Sequence, residues 1–281
     1  MIAAAVCGIG GDIHAQQPLR IVINIPAFRL DVYSAGAIIR SMPVAVGMPR
    51  YKTPRGEFAI TRVEWNPWWF PPDRGWAAKE HVTPPGPDNP MGRVKLYFQP
   101  LYFIHGTPAP TSIGRAASHG CVRMANADAI ELARTVSLAA ASAEDRSRLS
   151  TVLAGTTTRV MVLEPPIPAD VRYDLAEIRR DSLFVYRDVY GLRAVPMRDV
   201  VYAALTGVGV DTSAVDEPRV AALTRRIPAG GRGVPLDSVL TTSTISDVAK
   251  RPRASLGALR AVDRARSALA NGAASSPNVC W

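Results

Sequence analysis

Short bursts of alternating apolar and polar residues fill the first half of the chain, the period-two pattern of half-buried β-strands. Residues 20–25, 29–33 and 37–46 are rich in Val and Ile. Pro26-Ala27 and Ser34-Ala35-Gly36 punctuate them as turns, so an antiparallel meander is expected. Residues 57–63 and 94–105 extend the pattern, the latter as one long strand ending on His105. Between them, residues 65–91 hold four tryptophans and seven prolines. Proline at that density suits neither a central strand nor a helix, and the tryptophans argue against disorder. A long ordered loop is expected, either a flap covering a substrate with Trp68 and Trp69 or a set of rings capping the sheet.

Beyond residue 125 the period lengthens to that of a helix. Ile130, Leu132, Ala133 and Val136 fall on one face, with Asn126 as the cap and an end near Ala141. Ser142-Ala143-Glu144-Asp145 opens a second short helix ending near Gly155. Residues 159–163 read as a strand, and Pro165, Pro166 and Pro168 as a break, placing a boundary near Glu164. Past it, residues 183–189 suggest a strand, and the remainder is rich in Gly, Ser, Ala and Arg with weak helical stretches at 220–225 and 256–269. The expected organisation is a mostly β domain over residues 16–164 and a less ordered extension of helix and coil over 165–281. Nothing after about Val200 is expected to serve chemistry.

Composition adds two points. With 281 residues, 47% of them hydrophobic, the chain can bury a substantial core. Its net charge of +9 favours polyanionic surroundings such as cell-wall polymers, nucleic acid or anionic lipid, but no basic run selects among them. The modest concentration between Lys250 and Arg266 reads as a solvated tail. The apolar run from Ile2 to Ile9, followed by Ile13-His14-Ala15, resembles an export signal over residues 1–15, although no Lys or Arg precedes it. No segment reaches the roughly 18 to 20 apolar residues that a spanning helix needs.

The cysteines, Cys7, Cys121 and Cys280, are too few and too far apart for a disulfide framework or a paired-cysteine zinc site. Cys121 stands in Ser118-His119-Gly120-Cys121-Val122-Arg123, with His105-Gly106-Thr107 upstream. A thiol near its reference pKa of about 8.5 is mostly protonated at neutral pH, so a nucleophilic role needs an imidazole or positive field beside it. His119 shares a face with Cys121 on extended backbone, whereas His105 must arrive from a neighbouring strand. Gly120 leaves room for a substrate and frees amides for an oxyanion, and Arg123 could grip a carboxylate. Three readings stay open on these residues: a catalytic thiol, an inert buried cysteine, and a zinc site with His81 as a fourth ligand.

The signature around His105 and Cys121 resembles the active site of the L,D-transpeptidase catalytic domain, the YkuD family. Further segments match in order: residues 23–26 with Arg29-Leu30, residues 43–47, Thr53-Pro54-Arg55-Gly56-Glu57-Phe58, and residues 86–92. Residues 183–190 are similar to a strand that follows the domain in some proteobacterial relatives. The resemblance implies a mostly β sandwich or barrel with one or two short helices. It also implies a cofactor-free, exported cell-envelope enzyme that builds peptidoglycan and bears on cell shape, with no nucleic-acid partner and with carbapenems as inhibitors. The implied donor is a stem tetrapeptide, attacked at its meso-diaminopimelate carbonyl by Cys121 with release of D-alanine. The acyl group then passes to an amine of another stem or of a wall-anchored protein. His105 is implied as the base, the Gly106 carbonyl as its anchor, and His119 as a pocket wall. Gly120 and Cys121 amides are implied as oxyanion donors, with Ser118, Arg123, Trp68 and Trp69 around the substrate. Pro108, Ala109 and Pro110 depart from the family pattern at the inner rim. Water as acceptor would make a carboxypeptidase or hydrolase, and loss of chemistry a wall-binding or zinc-binding protein.

Overall fold

The computed structural model describes residues 18–73 and 75–241. The expected export signal, the basic stretch at 250–266 and the helical stretch at 256–269 lie outside the described residues. Eight strands form one mixed sheet, and together with few helices they make the first unit mostly β. The meander opens it: β1 (Leu19–Asn24), β2 (Arg29–Ser34) and β3 (Ala37–Pro43) pair antiparallel. The short β4 (Val46–Gly47) leads into β5 (Gly56–Trp65).

The long strand expected at 94–105 is a hairpin instead, β6 (Val94–Gln99) and β7 (Tyr102–Thr107). Pro100 has no N–H to extend a ladder, and Leu101 turns the chain at φ +68°. The chain continues through β8 (Ala116–Ser118), which pairs β4, and β9 (Val122–Ala125), which pairs parallel to β7.

Helix α1 (Asn126–Ala140) follows directly and packs across β7 and β10 (Arg159–Arg172). Leu132, Ala133 and Val136 are its fully buried face. Asn126 does not cap it: its Oδ1 accepts the Arg93 amide at 3.4 Å. Ser142 does cap α2 (Ala143–Ser147), accepting the Asp145 amide at 3.1 Å, and α3 (Leu149–Ala154) ends at Gly155.

Strand β10 runs through the expected proline break. Pro165 and Pro166 fall where its register against β5 shifts, between Val162 and Ile167, so their missing N–H groups interrupt no ladder. Glu164 is therefore inside a strand, and Ile167, Ala169, Val171 and even Tyr190 belong to the first hydrophobic core. The sheet order β3-β2-β1-β10-β5-β6-β7-β9 puts the β7–β9 pair at one edge.

Within the extension, residues 165–241 are described and add strands and helices to the expected helix and coil. Strands β11 (Ala176–Arg179), β12 (Ser182–Val185) and β13 (Arg232–Pro235) make a small antiparallel sheet. Helices α4 (Met197–Gly207) and α5 (Glu217–Arg225) close a second core with it. Val201 with Leu205 and Val220 with Leu223 recur at helical spacing and meet Leu183 and Val185. Buried Asp31 fastens this module to the meander, accepting Arg29 Nε at 2.8 Å and Arg179 at 3.1 Å, while Arg29 also reaches Glu177 at 2.7 Å.

Candidate active site

The parallel pairing of β7 with β9 sets His105 opposite Arg123. β9 begins one residue after Cys121, so the thiol stands in the bend that leads into the strand paired with β7. Cys121 and His105 are each 2% exposed. The His105 Nδ1 lies 2.6 Å from the Gly106 carbonyl oxygen. A carbonyl can only accept, so Nδ1 carries the proton and Nε2 is left with its lone pair. Gly106 is needed twice over, because a Cβ there would fall 2.1 Å from Asn126 Oδ1.

Burial first, and then the positive charge of Arg123, lower the His105 pKa to about 3 against the pull of its Gly106 hydrogen bond. The imidazole is therefore a neutral base at pH 7. The sign for stability follows: the unfolded chain takes up a proton near pH 6.5 that the folded one refuses until about pH 3. Between those values stability should fall with acidification by up to about 1.4 kcal/mol per pH unit for this residue. Denaturant titrations between pH 7 and 4 should show a shallower slope for His105→Gln than for the wild type, and equal slopes would contradict the buried neutral state.

His119 is packed differently. Its ring is stacked on Trp76 with centroids 3.8 Å apart and planes 7° from parallel, and Tyr51 meets it edge-on at 4.8 Å. Its Nδ1 is buried with no hydrogen-bond partner. Burial, Arg123 and Arg50 in that order lower its pKa. Arg123 is half-buried, and burial lowers its pKa too. It forms no ion pair with any described carboxylate.

Two expected substrate contacts, Ser118 and Trp69, are buried in the scaffold. Ser118 is 1% exposed, and its hydroxyl donates to the Cys121 carbonyl at 2.5 Å and accepts the Gly120 amide at 3.0 Å. It braces the loop from within. The same bond engages the Gly120 amide, one of the two expected to face an oxyanion. Trp69 is 5% exposed and bonded to Thr83 through both backbone groups at 2.9 Å, capping the sheet. Trp68 is exposed and stacks on Phe70 with centroids 6.3 Å apart. The loop's indole on the histidine is that of Trp76, and the flap reading of the composition could not say which ring turns inward. Tyr51 had no sequence signal. Asn89 ties the loop together by donating to the carbonyls of Pro67 and Pro84 at 2.8 and 3.0 Å.

Among the described residues, no three His, Cys, Asp or Glu side chains are grouped so as to hold a metal ion, and His81 is exposed in the loop. No described helix is long and apolar enough to cross a membrane. Nucleophilic chemistry at Cys121 belongs to the reduced thiol.

The family model of the L,D-transpeptidase catalytic domain matches residues 18–162. Among curated proteins, "Probable L,D-transpeptidase ErfK/SrfK" of Salmonella typhimurium is 32% identical over 215 residues, covering 70% of this chain and 62% of that protein. "Probable L,D-transpeptidase YbiS" of Escherichia coli is 38% identical over 122 residues, covering 38% of each. The chain thus spans less than two thirds of each of these relatives. A solved L,D-transpeptidase from Mycobacterium smegmatis aligns over 56% of this chain and 59% of its own, at 17% identity and a TM-score of 0.34.

Proposed function

The chain belongs to the L,D-transpeptidase catalytic-domain family, and from that premise we propose that it is a cell-envelope peptidoglycan L,D-transpeptidase with Cys121 as nucleophile. The observation that carries this reading is the His105 ring, pinned through Nδ1 on the Gly106 carbonyl and paired across the strands with Arg123, two residues beyond Cys121. An imidazole held this far toward neutrality does not sustain a standing thiolate–imidazolium pair, so the thiol proton moves to Nε2 as the sulfur attacks.

The attack falls on the meso-diaminopimelate carbonyl of a stem tetrapeptide. A carbon–sulfur bond forms while the carbonyl electrons move onto oxygen, which faces the Cys121 amide. The bond to D-alanine then breaks, its nitrogen taking the proton from His105, and a thioester remains. An acceptor amine gives a proton to His105 as it attacks, and collapse returns that proton to the departing sulfur. Arg123, which pairs with no carboxylate among the described residues, holds a substrate carboxylate, and His119 with Trp76 and Tyr51 walls the pocket.

Intact sacculi incubated with the reduced protein, digested and analysed by mass spectrometry, should yield dimers linked between two diaminopimelate residues or a protein-linked stem. Products limited to tripeptides would make water the acceptor. Unchanged muropeptides would overturn the reading.

A further inference from the structure

The family match ends at residue 162, yet a hydrogen-bonded chain from beyond it reaches the nucleophile. Asp188 builds the turn where this chain starts. Its Oδ1 accepts the Leu192 amide at 2.9 Å and the Tyr173 hydroxyl at 2.6 Å, and its Oδ2 accepts the Arg193 amide at 2.9 Å. The Tyr173 oxygen accepts the Tyr190 amide at 2.6 Å, and the two rings stack with centroids 5.5 Å apart. Tyr190 is thereby driven into the first core, 7% exposed.

Its hydroxyl is fully used there, donating to the Gly47 carbonyl at 2.9 Å and accepting the Thr53 amide at 3.1 Å. Thr53, 1% exposed, passes the link on. Its Oγ1 accepts the Gly47 amide at 2.9 Å and donates to the Gly120 carbonyl at 2.8 Å. That carbonyl belongs to the same planar peptide unit as the Cys121 N–H, so fixing one fixes the direction of the other. The restraint has something to restrain: Gly120 sits at φ +122°, where only glycine is at ease, and carries no Cβ to limit its rotation. A Cβ on Gly47 would stand 2.9 Å from the Gly120 Cα, so the two backbones are in direct contact.

We propose that Tyr190 is a positioning residue for acyl transfer: acting through Thr53, it fixes the plane of the Gly120–Cys121 peptide and aims the Cys121 amide at the developing oxyanion. The segment from Tyr173 to Arg193 is then part of the catalytic unit. The proposal rests on the acyl-transfer reading above.

The test compares two reactions of the reduced full chain. Acylation by a carbapenem passes through an oxyanion, whereas alkylation by iodoacetamide needs only an accessible thiol. Tyr190→Phe keeps the stacked ring and removes the hydroxyl. It should slow single-turnover acylation about tenfold or more while alkylation stays within about twofold of wild type. Thr53→Ala should do the same, Thr53→Ser should restore acylation, and the double variant Tyr190→Phe/Thr53→Ala should be no slower than the slower single one. Should Tyr190→Phe fail to fold, the Thr53 pair decides the matter. Acylation within about twofold of wild type in Tyr190→Phe, or equal losses in both reactions, would overturn the positioning role. A wild type that takes no acyl group would overturn the acyl-transfer reading itself, before any variant is compared.

Discussion

Replacing Cys121 by alanine or serine should abolish release of D-alanine from a stem tetrapeptide, a loss on the order of 10⁴-fold or more, in protein with an unchanged circular dichroism spectrum. Alanine removes the attacking atom and leaves only a small gap at a buried site. Serine is the sharper case. It keeps an attacking atom in place, but its hydroxyl is far less acidic than a thiol, and His105, with a pKa lowered to about 3, is too weak a base to help it. A Cys121→Ser variant that kept near wild-type release would refute the covalent mechanism.

The second large effect concerns the base. His105→Ala should slow single-turnover acylation by about 10² to 10⁴, the usual cost of removing a general base. His119→Ala should cost less. His119 Nδ1 has no partner and its ring is stacked on Trp76, so truncation loosens the pocket wall without removing a proton acceptor anchored on a backbone carbonyl. Equal or reversed losses, read in rapid-quench acylation at pH 7, would move the base to His119.

The parts of this molecule readable from sequence are those whose causes are local. The meander announced itself because β1 to β3 alternate and their turns carry Pro26 and Gly36. The motif around Cys121 was equally plain, since thiol, imidazole and glycine adjoin in the chain. What sequence hid depends on distant partners. The 94–105 run is rich in apolar and aromatic residues on both sides of Pro100, which alone marked the turn between β6 and β7. Pro165 and Pro166 read as a break because their tolerance depends on a register shift against β5, which only the pairing reveals. The Gly- and Ser-rich composition after β10 concealed a second core assembled from sparse valines and leucines. Ser118 and Trp69 were taken for substrate contacts because their types suit the task, and only their burial shows that they brace the scaffold. Tyr190 bonds to Thr53 across 137 residues, a separation no local pattern spans.

The most direct measurement of the covalent account is intact-mass spectrometry of the reduced protein after exposure to a carbapenem, followed by peptide mapping. A strained lactam carbonyl presents the thiol with the same attack as the natural donor and leaves a stable adduct. The account predicts one added inhibitor mass, mapped to Cys121 and absent from Cys121→Ala. An adduct mapped to Cys7 or Cys280, or one that persists in Cys121→Ala, would contradict it.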